Sequence, residues 1–223
     1  MSGQPVKPPD SPGSSRRYST PKRDQRAAAT RAAILAAAER LFLRDGYTRT
    51  SVKAIANQAG VSEKTMYLAF ETKATLLRQV IQVAVQGDEA STPLSERDEW
   101  RELVHGPVDE VFARFAALNA KLMARTAAII ALGESAAAAD PELAKYRDAA
   151  HGATRANLRA LAAELKRRGA LAPDISEQHA ADTIYALATD ESVFLRLTRE
   201  CGWTPGRYAD LISRILKASL GQT

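Results

Sequence analysis

Apolar residues recur along this chain at helical spacing and nowhere alternate as a half-buried strand would, which predicts an all-α protein. From about Asp24, Ile34, Leu35, Ala38, Leu41 and Phe42 form one stripe, and Gly46 supplies the stop. Val52, Ile55, Ala56 and Ala59 then fall at i, i+3, i+4 and i+7, with Thr50 or Ser51 placed to cap the helix they define. Gly60 ends that short helix, and Ser62 caps another that runs through Phe70. Thr72 caps a fourth, with Lys73 in its first turn and Leu76, Leu77, Val80, Ile81 and Ala84 on one face.

A polar segment from Gly87 to about Ser95 interrupts the pattern, and a second helical region follows. Gly106-Pro107 restarts a helix through Val108, Val111, Phe112 and Phe115, with Gly133 late in the ensuing run. Asp140-Pro141, a cap followed by proline at the first helical position, opens a long helix that Gly169 closes. Its stripe is Leu143, Tyr146, Ala150, Leu158, Leu161 and Leu165, and Gly152 within it marks a kink or a close approach. Asp174 or Ser176 opens the next helix, with Ala180, Ile184 and Leu187 and a break near Thr189-Asp190. Thr204-Pro205 opens the last, which carries Tyr208, Leu211, Ile212, Ile215, Leu216 and Leu220.

Two short helices joined by a three-residue turn containing glycine are the signature of a helix-turn-helix, whose second helix enters the DNA major groove. Thr50, Val52, Ile55-Ala56, Ala59-Gly60-Val61-Ser62, Thr65, Tyr67, Phe70 and Lys73 resemble the N-terminal domain of the tetracycline-repressor (TetR) family of bacterial regulators. Ile34, Ala38, Leu41-Phe42 and Gly46-Tyr47 resemble that family's first helix and the turn leaving it. The resemblance is strong over residues 27 to 81 and weaker in the last helices. Lys64 stands where the family commonly has glycine, and Ala69 where it commonly has histidine or an aromatic residue. Both departures bear on the operator sequence rather than on the fold.

The resulting layout is a disordered basic tail over 1–22, a helix-turn-helix domain over 23–71, and a helical effector-binding and dimerisation domain over 72–223 whose first part, 72–87, is a linking helix. Charge follows this division. Residues 1–80 hold fourteen Lys/Arg against six Asp/Glu, and the remainder seventeen against twenty, so the net +5 of the chain is concentrated where phosphate binding requires it. Arg16, Arg17, Lys22 and Arg23 either reach DNA or belong to a solvated tail.

On the reading helix, spacing turns Met66 and Phe70 inward and leaves Glu63, Lys64, Thr65, Tyr67 and Leu68 for the groove and its walls. Lys64 suits guanine, Glu63 a cytosine amine or simply the helix dipole, and Leu68 a thymine methyl. Thr50, Ser51, Thr65, Tyr67 and Lys73 suit phosphate oxygens, as does Ser62 at the helix N-terminus. The resemblance supports that role for Thr50, Tyr67 and Lys73. Arg49 and Lys53 are general attracting charges.

The rest of the chain carries no phosphate loop, nucleophile elbow or metal-ligand spacing, so neither an enzyme nor a cofactor is expected. His105, His151 and His179 are scattered, and the single Cys201 excludes an internal disulfide and reads as a packed thiol. With no long purely apolar run and no secretory leader, a cytoplasmic protein without a membrane span is expected.

The resemblance implies that the C-terminal region is a chamber for a small-molecule effector, and that the last two helices pair across a two-fold axis. Trp100, Phe112, Phe115, Met123, Tyr146, Tyr185 and Phe194 are the apolar candidates for that chamber, with Arg114, Asn119 or Asn157 as polar handles; each is equally an ordinary core or surface residue. The expected partner is double-stranded DNA carrying a palindromic operator, read by a homodimer. The competing readings are an activator or architectural DNA-binding protein without an effector, and a helical enzyme or ligand-binding module with an incidental helix-turn-helix.

Overall fold

A computed structural model of the chain describes residues 21–87 and 97–222, so the expected tail over 1–22, except for 21–22, which open the first helix, and the expected polar segment beyond Gly87 lie outside the described residues. Among the described residues ten α-helices follow in order: α1 (Pro21–Asp45), α2 (Val52–Ala59), α3 (Glu63–Phe70), α4 (Lys73–Gln86), α5 (Asp98–His105), α6 (Val111–Ala137), α7 (Pro141–Arg167), α8 (Glu177–Ala188), α9 (Glu191–Leu195) and α10 (Pro205–Leu220). A 3-10 turn, Val108–Glu110, leads into α6, and a π-turn, Arg196–Glu200, extends α9. Among the described residues the extended contacts amount to an isolated bridge between Leu171 and Gly221.

The predicted caps operate. Ser51, Ser62, Thr72, Asp140, Ser176 and Thr204 each accept a backbone N–H from the first turn of the helix they precede. Gly60 and Gly87 close α2 and α4 with left-handed backbones, φ 68° and 83°. Helix α5 is additional to the sequence reading: its only buried residue is Leu103, too sparse a stripe to stand out. Gly152 neither kinks α7 by crowding nor admits a neighbour, since a Cβ built there would meet nothing within 4 Å. The close approach occurs instead at Gly133, where a Cβ would lie 2.7 Å from Ile81 Cδ1, bringing α6 against α4.

Two apolar cores result. The first joins Ile34, Leu41 and Phe42 of α1 to Ile55, Met66 and Phe70 of the helix pair and Leu76, Leu77 and Val80 of α4. It also takes Ile129, Ala136 and Ala137 from the end of α6 and Leu143 from α7. The second is built from the earlier part of α6, Val111 to Ala127, with Leu158, Leu161 and Leu165 of α7, Ile184 of α8 and Tyr208, Ile212, Leu216 and Leu220 of α10. A chain boundary at 71/72 therefore is not a packing boundary: α4 and the end of α6 belong to the core of the reading domain. Residues 108–137 are long and apolar enough by composition to cross a membrane, but α6 packs against α4, α7, α9 and α10, which accounts for its apolarity.

Candidate DNA-reading surface

Helices α2 and α3 owe their mutual angle to the turn between them. Gly60 donates to Asn57 O at 3.2 Å, and the Val61 N–H reaches back to Ala56 O at 3.0 Å, pairing two of the carbonyls that the end of α2 leaves over. Ser62 then starts α3 by accepting from Thr65 N at 3.1 Å, and its hydroxyl pairs with that of Thr65 at 2.8 Å. Met66 and Phe70 are fully buried under α3. Glu63, Lys64, Tyr67 and Leu68, at i, i+1, i+4 and i+5, make one exposed face, on which Leu68 retains 79% of its surface and Tyr67 48%. A leucine left this open on a well-packed domain suits an apolar partner such as a thymine methyl. Thr65 is half-buried beside this face, while Ser51 and Ser62 are exposed at the two helix starts.

Thr50 and Lys73, the expected phosphate anchors, both bond backbone carbonyls around the α1–α2 loop. Thr50 is 2% exposed, and its hydroxyl donates to Gly46 O at 2.8 Å with Leu41 O at 3.2 Å, so it fastens the α1–α2 loop. Ser51, one residue on, is the cap of α2. Lys73 Nζ donates to Tyr47 O at 3.0 Å and Thr50 O at 3.2 Å, and stands 4.3 Å from the centre of the Tyr47 ring. Most of its hydrogen-bonding capacity is spent inside the domain. Ala69 is likewise half-buried against the first core, which leaves Lys64 as the departure from the family pattern that faces outward.

Arg31 and Tyr47 make long-range contacts that the sequence reading did not anticipate. Arg31 of α1 donates to Ala69 O at 3.1 Å and to Gln79 Oε1 at 2.9 Å, with its guanidinium 4.3 Å from the Phe70 ring centre. One side chain thereby ties the end of α3 to α1 and α4. The Tyr47 hydroxyl donates to Asp140 Oδ2 at 3.0 Å. Burial, the bond to Asp140 and the nearby carboxylates of Asp140 and Glu142 all push this phenol above its ordinary range, so it remains a protonated donor. Neither role has a local signal, because the partners are 38 and 93 residues away.

Six of the seven apolar effector candidates lie in or against the second core. Phe112, Phe115 and Met123 are buried in the second core, with Trp100 and Tyr185 half-buried against it, whereas Tyr146 lies against the first. Asn119 is buried and donates to Tyr208 Oη at 3.5 Å, Arg114 pairs with Glu110 at 2.9 Å, and Asn157 is exposed. A groove of about 400 Å³ lies between α1, α4 and α6, walled by Leu35, Val80 and Val83 with Glu39 and Arg125. A smaller pocket of about 190 Å³ holds Met123 and Phe194 with Thr198 and Arg199 of the π-turn. Only these two of the seven candidates line either space. The others are packed side chains of a core rather than walls of an open space. Cys201 is exposed, not packed: it follows the π-turn on the outer side of the α9–α10 connection. His151 bonds Glu134 at 3.0 Å, while His105 and His179 are exposed, and no group of three metal-ligating side chains occurs among the described residues.

Comparison with known proteins agrees with this geometry. Residues 34–80 match the family of bacterial regulatory proteins, tetR family. No curated protein sequence matches the chain. Among solved structures, NalD, the secondary repressor of the MexAB-OprM multidrug efflux pump in Pseudomonas aeruginosa, superposes with a TM-score of 0.66 at 22% identity, over 88% of this chain and 98% of that one. A protein from Saccharomonospora viridis described as a transcriptional regulator, in complex with choline, gives 0.67 at 17%, over 88% and 100%. The complex of SmeT with triclosan gives 0.66 at 18%, over 87% and 92%. At such identities the likeness is one of fold, and it extends through the C-terminal helices.

Proposed function

We propose that the chain, whose residues 34–80 match the tetR family of bacterial regulatory proteins, is a DNA-binding transcriptional regulator of that type and acts as a dimeric, ligand-released repressor in the cytoplasm. The observation that carries this reading is the exposed face of α3, where Lys64, Tyr67 and Leu68 stand out from a helix whose other side is sealed by Met66 and Phe70. One eight-residue helix reads too few bases to specify a site alone, and two related by a two-fold axis would read a palindrome. The second copy is supported by α10, which buries Tyr208, Ile212, Leu216 and Leu220 internally yet leaves Leu211 and Ile215 only half covered.

Repression would follow from occupying the site that RNA polymerase needs. Release requires an effector that binds the non-reading arrangement more tightly than the reading one. Complexes of fold relatives with choline and with triclosan support a small amphipathic or apolar molecule as that effector. The test is selection of a preferred palindrome from a random library by the full chain, followed by titration of choline, triclosan and related amphiphiles. Tight, steeply salt-dependent binding of one palindrome and its loss with an effector are expected. Equal binding of random DNA would refute the operator reading, and persistence of the complex under every ligand would refute release.

A further inference from the structure

The start of α7 is joined by hydrogen bonds to the two segments that orient the reading helices. Asp140, the N-cap of α7, uses Oδ1 to accept from Glu142 N at 3.0 Å and Leu143 N at 3.4 Å, while Oδ2 takes the Tyr47 hydroxyl at 3.0 Å. Glu142, in the first turn of α7, accepts from the Thr75 hydroxyl at 3.2 Å and the Thr72 hydroxyl at 3.5 Å. Thr72 is itself the N-cap of α4, accepting from Thr75 N at 2.9 Å. Two helix starts are thus wired to each other through the same side chains that cap them.

From Tyr47 the connection continues. Its ring carries the Lys73 ammonium, and Lys73 clasps the carbonyls of Tyr47 and Thr50 directly before the cap of α2. Thus α7 touches the α1–α2 loop and the start of α4, and these flank the helix pair on both sides in sequence. At its other turns α7 belongs to the second core through Leu158, Leu161 and Leu165.

We infer that Asp140 and Glu142 are positioning residues for the DNA-reading helices: through Tyr47 and Thr72/Thr75 they set the angle at which the reading domain is held relative to the C-terminal helices. The inference rests on the DNA-reading role of α3. In a dimer this angle decides the separation of the two reading helices, and hence which half-site spacing is accepted. The latch makes no base contact, so it governs spacing and not the preferred bases. It also offers a route for displacement of α7 to reach the reading domain without passing along α4.

The test uses the full chain with Tyr47→Phe, which removes the hydroxyl and keeps the ring over Lys73, with Glu142→Ala, and with both. Hydrogen exchange is followed over residues 46–51 and the first turn of α4, and binding over palindromes whose half-sites are moved apart one base pair at a time. Loss of two hydrogen bonds predicts roughly tenfold faster exchange in those two segments, with α1 and the body of α4 unchanged. The double variant should accept neighbouring spacings that the parent rejects by about tenfold, with the same bases preferred in each half-site. Unaltered exchange in the double variant, a uniform rise across the whole domain, or an unaltered spacing profile would each overturn the assignment. If the parent protein selects no palindrome, the DNA-reading role fails, and the exchange measurement alone decides whether the latch exists.

Discussion

Glu71 ends α3 with φ 53°, the one positive value outside glycine among the described residues. A side chain in that region strains the backbone by about 1–3 kcal/mol, partly offset by the entropy that a glycine would lose on folding. Glu71→Gly is therefore expected to stabilise the protein by about 1 kcal/mol, seen as a rise of a few degrees in thermal unfolding. A second residue, Glu191, sits at the start of α9, where burial raises its pKa, as do the carboxylates of Glu134 and Asp190, against a lowering by the backbone and His151. Because its folded pKa lies above the unfolded one, the folded state binds the proton more tightly, and stability declines as pH rises from the unfolded value through the folded one. Glu191→Gln should raise the melting temperature at pH 7.5 and leave it nearly unchanged near pH 4. An equal gain at both pH values would place the cause elsewhere.

At the scale of elements, the two faces of α3 separate specificity from folding. Lys64→Ala should change which base is preferred in an operator library, and Tyr67→Ala should weaken all sequences alike, because a phenol at the groove wall suits phosphate better than base edges. Lys73→Ala should also weaken all sequences, but through a loosened α1–α2 loop: two carbonyls and a ring lose their cation, so thermal stability should drop with affinity. Unchanged stability in Lys73→Ala would return this lysine to the role of a phosphate contact. The crossing of α4 and α6 depends on Gly133. A branched side chain there must displace Ile81, so Gly133→Val should cost about 1–3 kcal/mol, partly recovered when combined with Ile81→Ala. Denaturant titration of the four proteins measures that coupling.

For the molecule as a whole, α6 contributes to both cores, and the two cannot separate without exposing one end of it. A single cooperative transition is expected on heating. Both tryptophans, Trp100 and Trp203, belong to the helices that follow the reading domain, so their fluorescence should change at the same temperature as the helical signal of the entire chain. Separate midpoints would show that the reading domain melts on its own.

Helix starts and stops were legible because caps and glycines act within four residues: Ser51, Gly60, Ser62, Thr72, Asp140 and Gly169 are all local devices. The inward and outward faces of α3 were legible for the same reason, since helical period alone turns Met66 and Phe70 one way and Lys64 and Leu68 the other. Where a polar end goes is a different matter. Thr50 and Lys73 look alike on paper whatever they meet, and only the folded loop at Gly46 to Thr50 brings backbone carbonyls to both. The destination of each apolar residue on α6 and α7 was equally hidden, because a 27-residue helix can serve two cores and period does not say which. By itself the sequence determined that this is an all-helical chain with a helix-turn-helix near its start. Tertiary structure alone decided that Tyr47 meets Asp140 across 93 residues and that most of the pocket candidates pack into the second core, because such contacts depend on how helices cross and not on what any one of them contains.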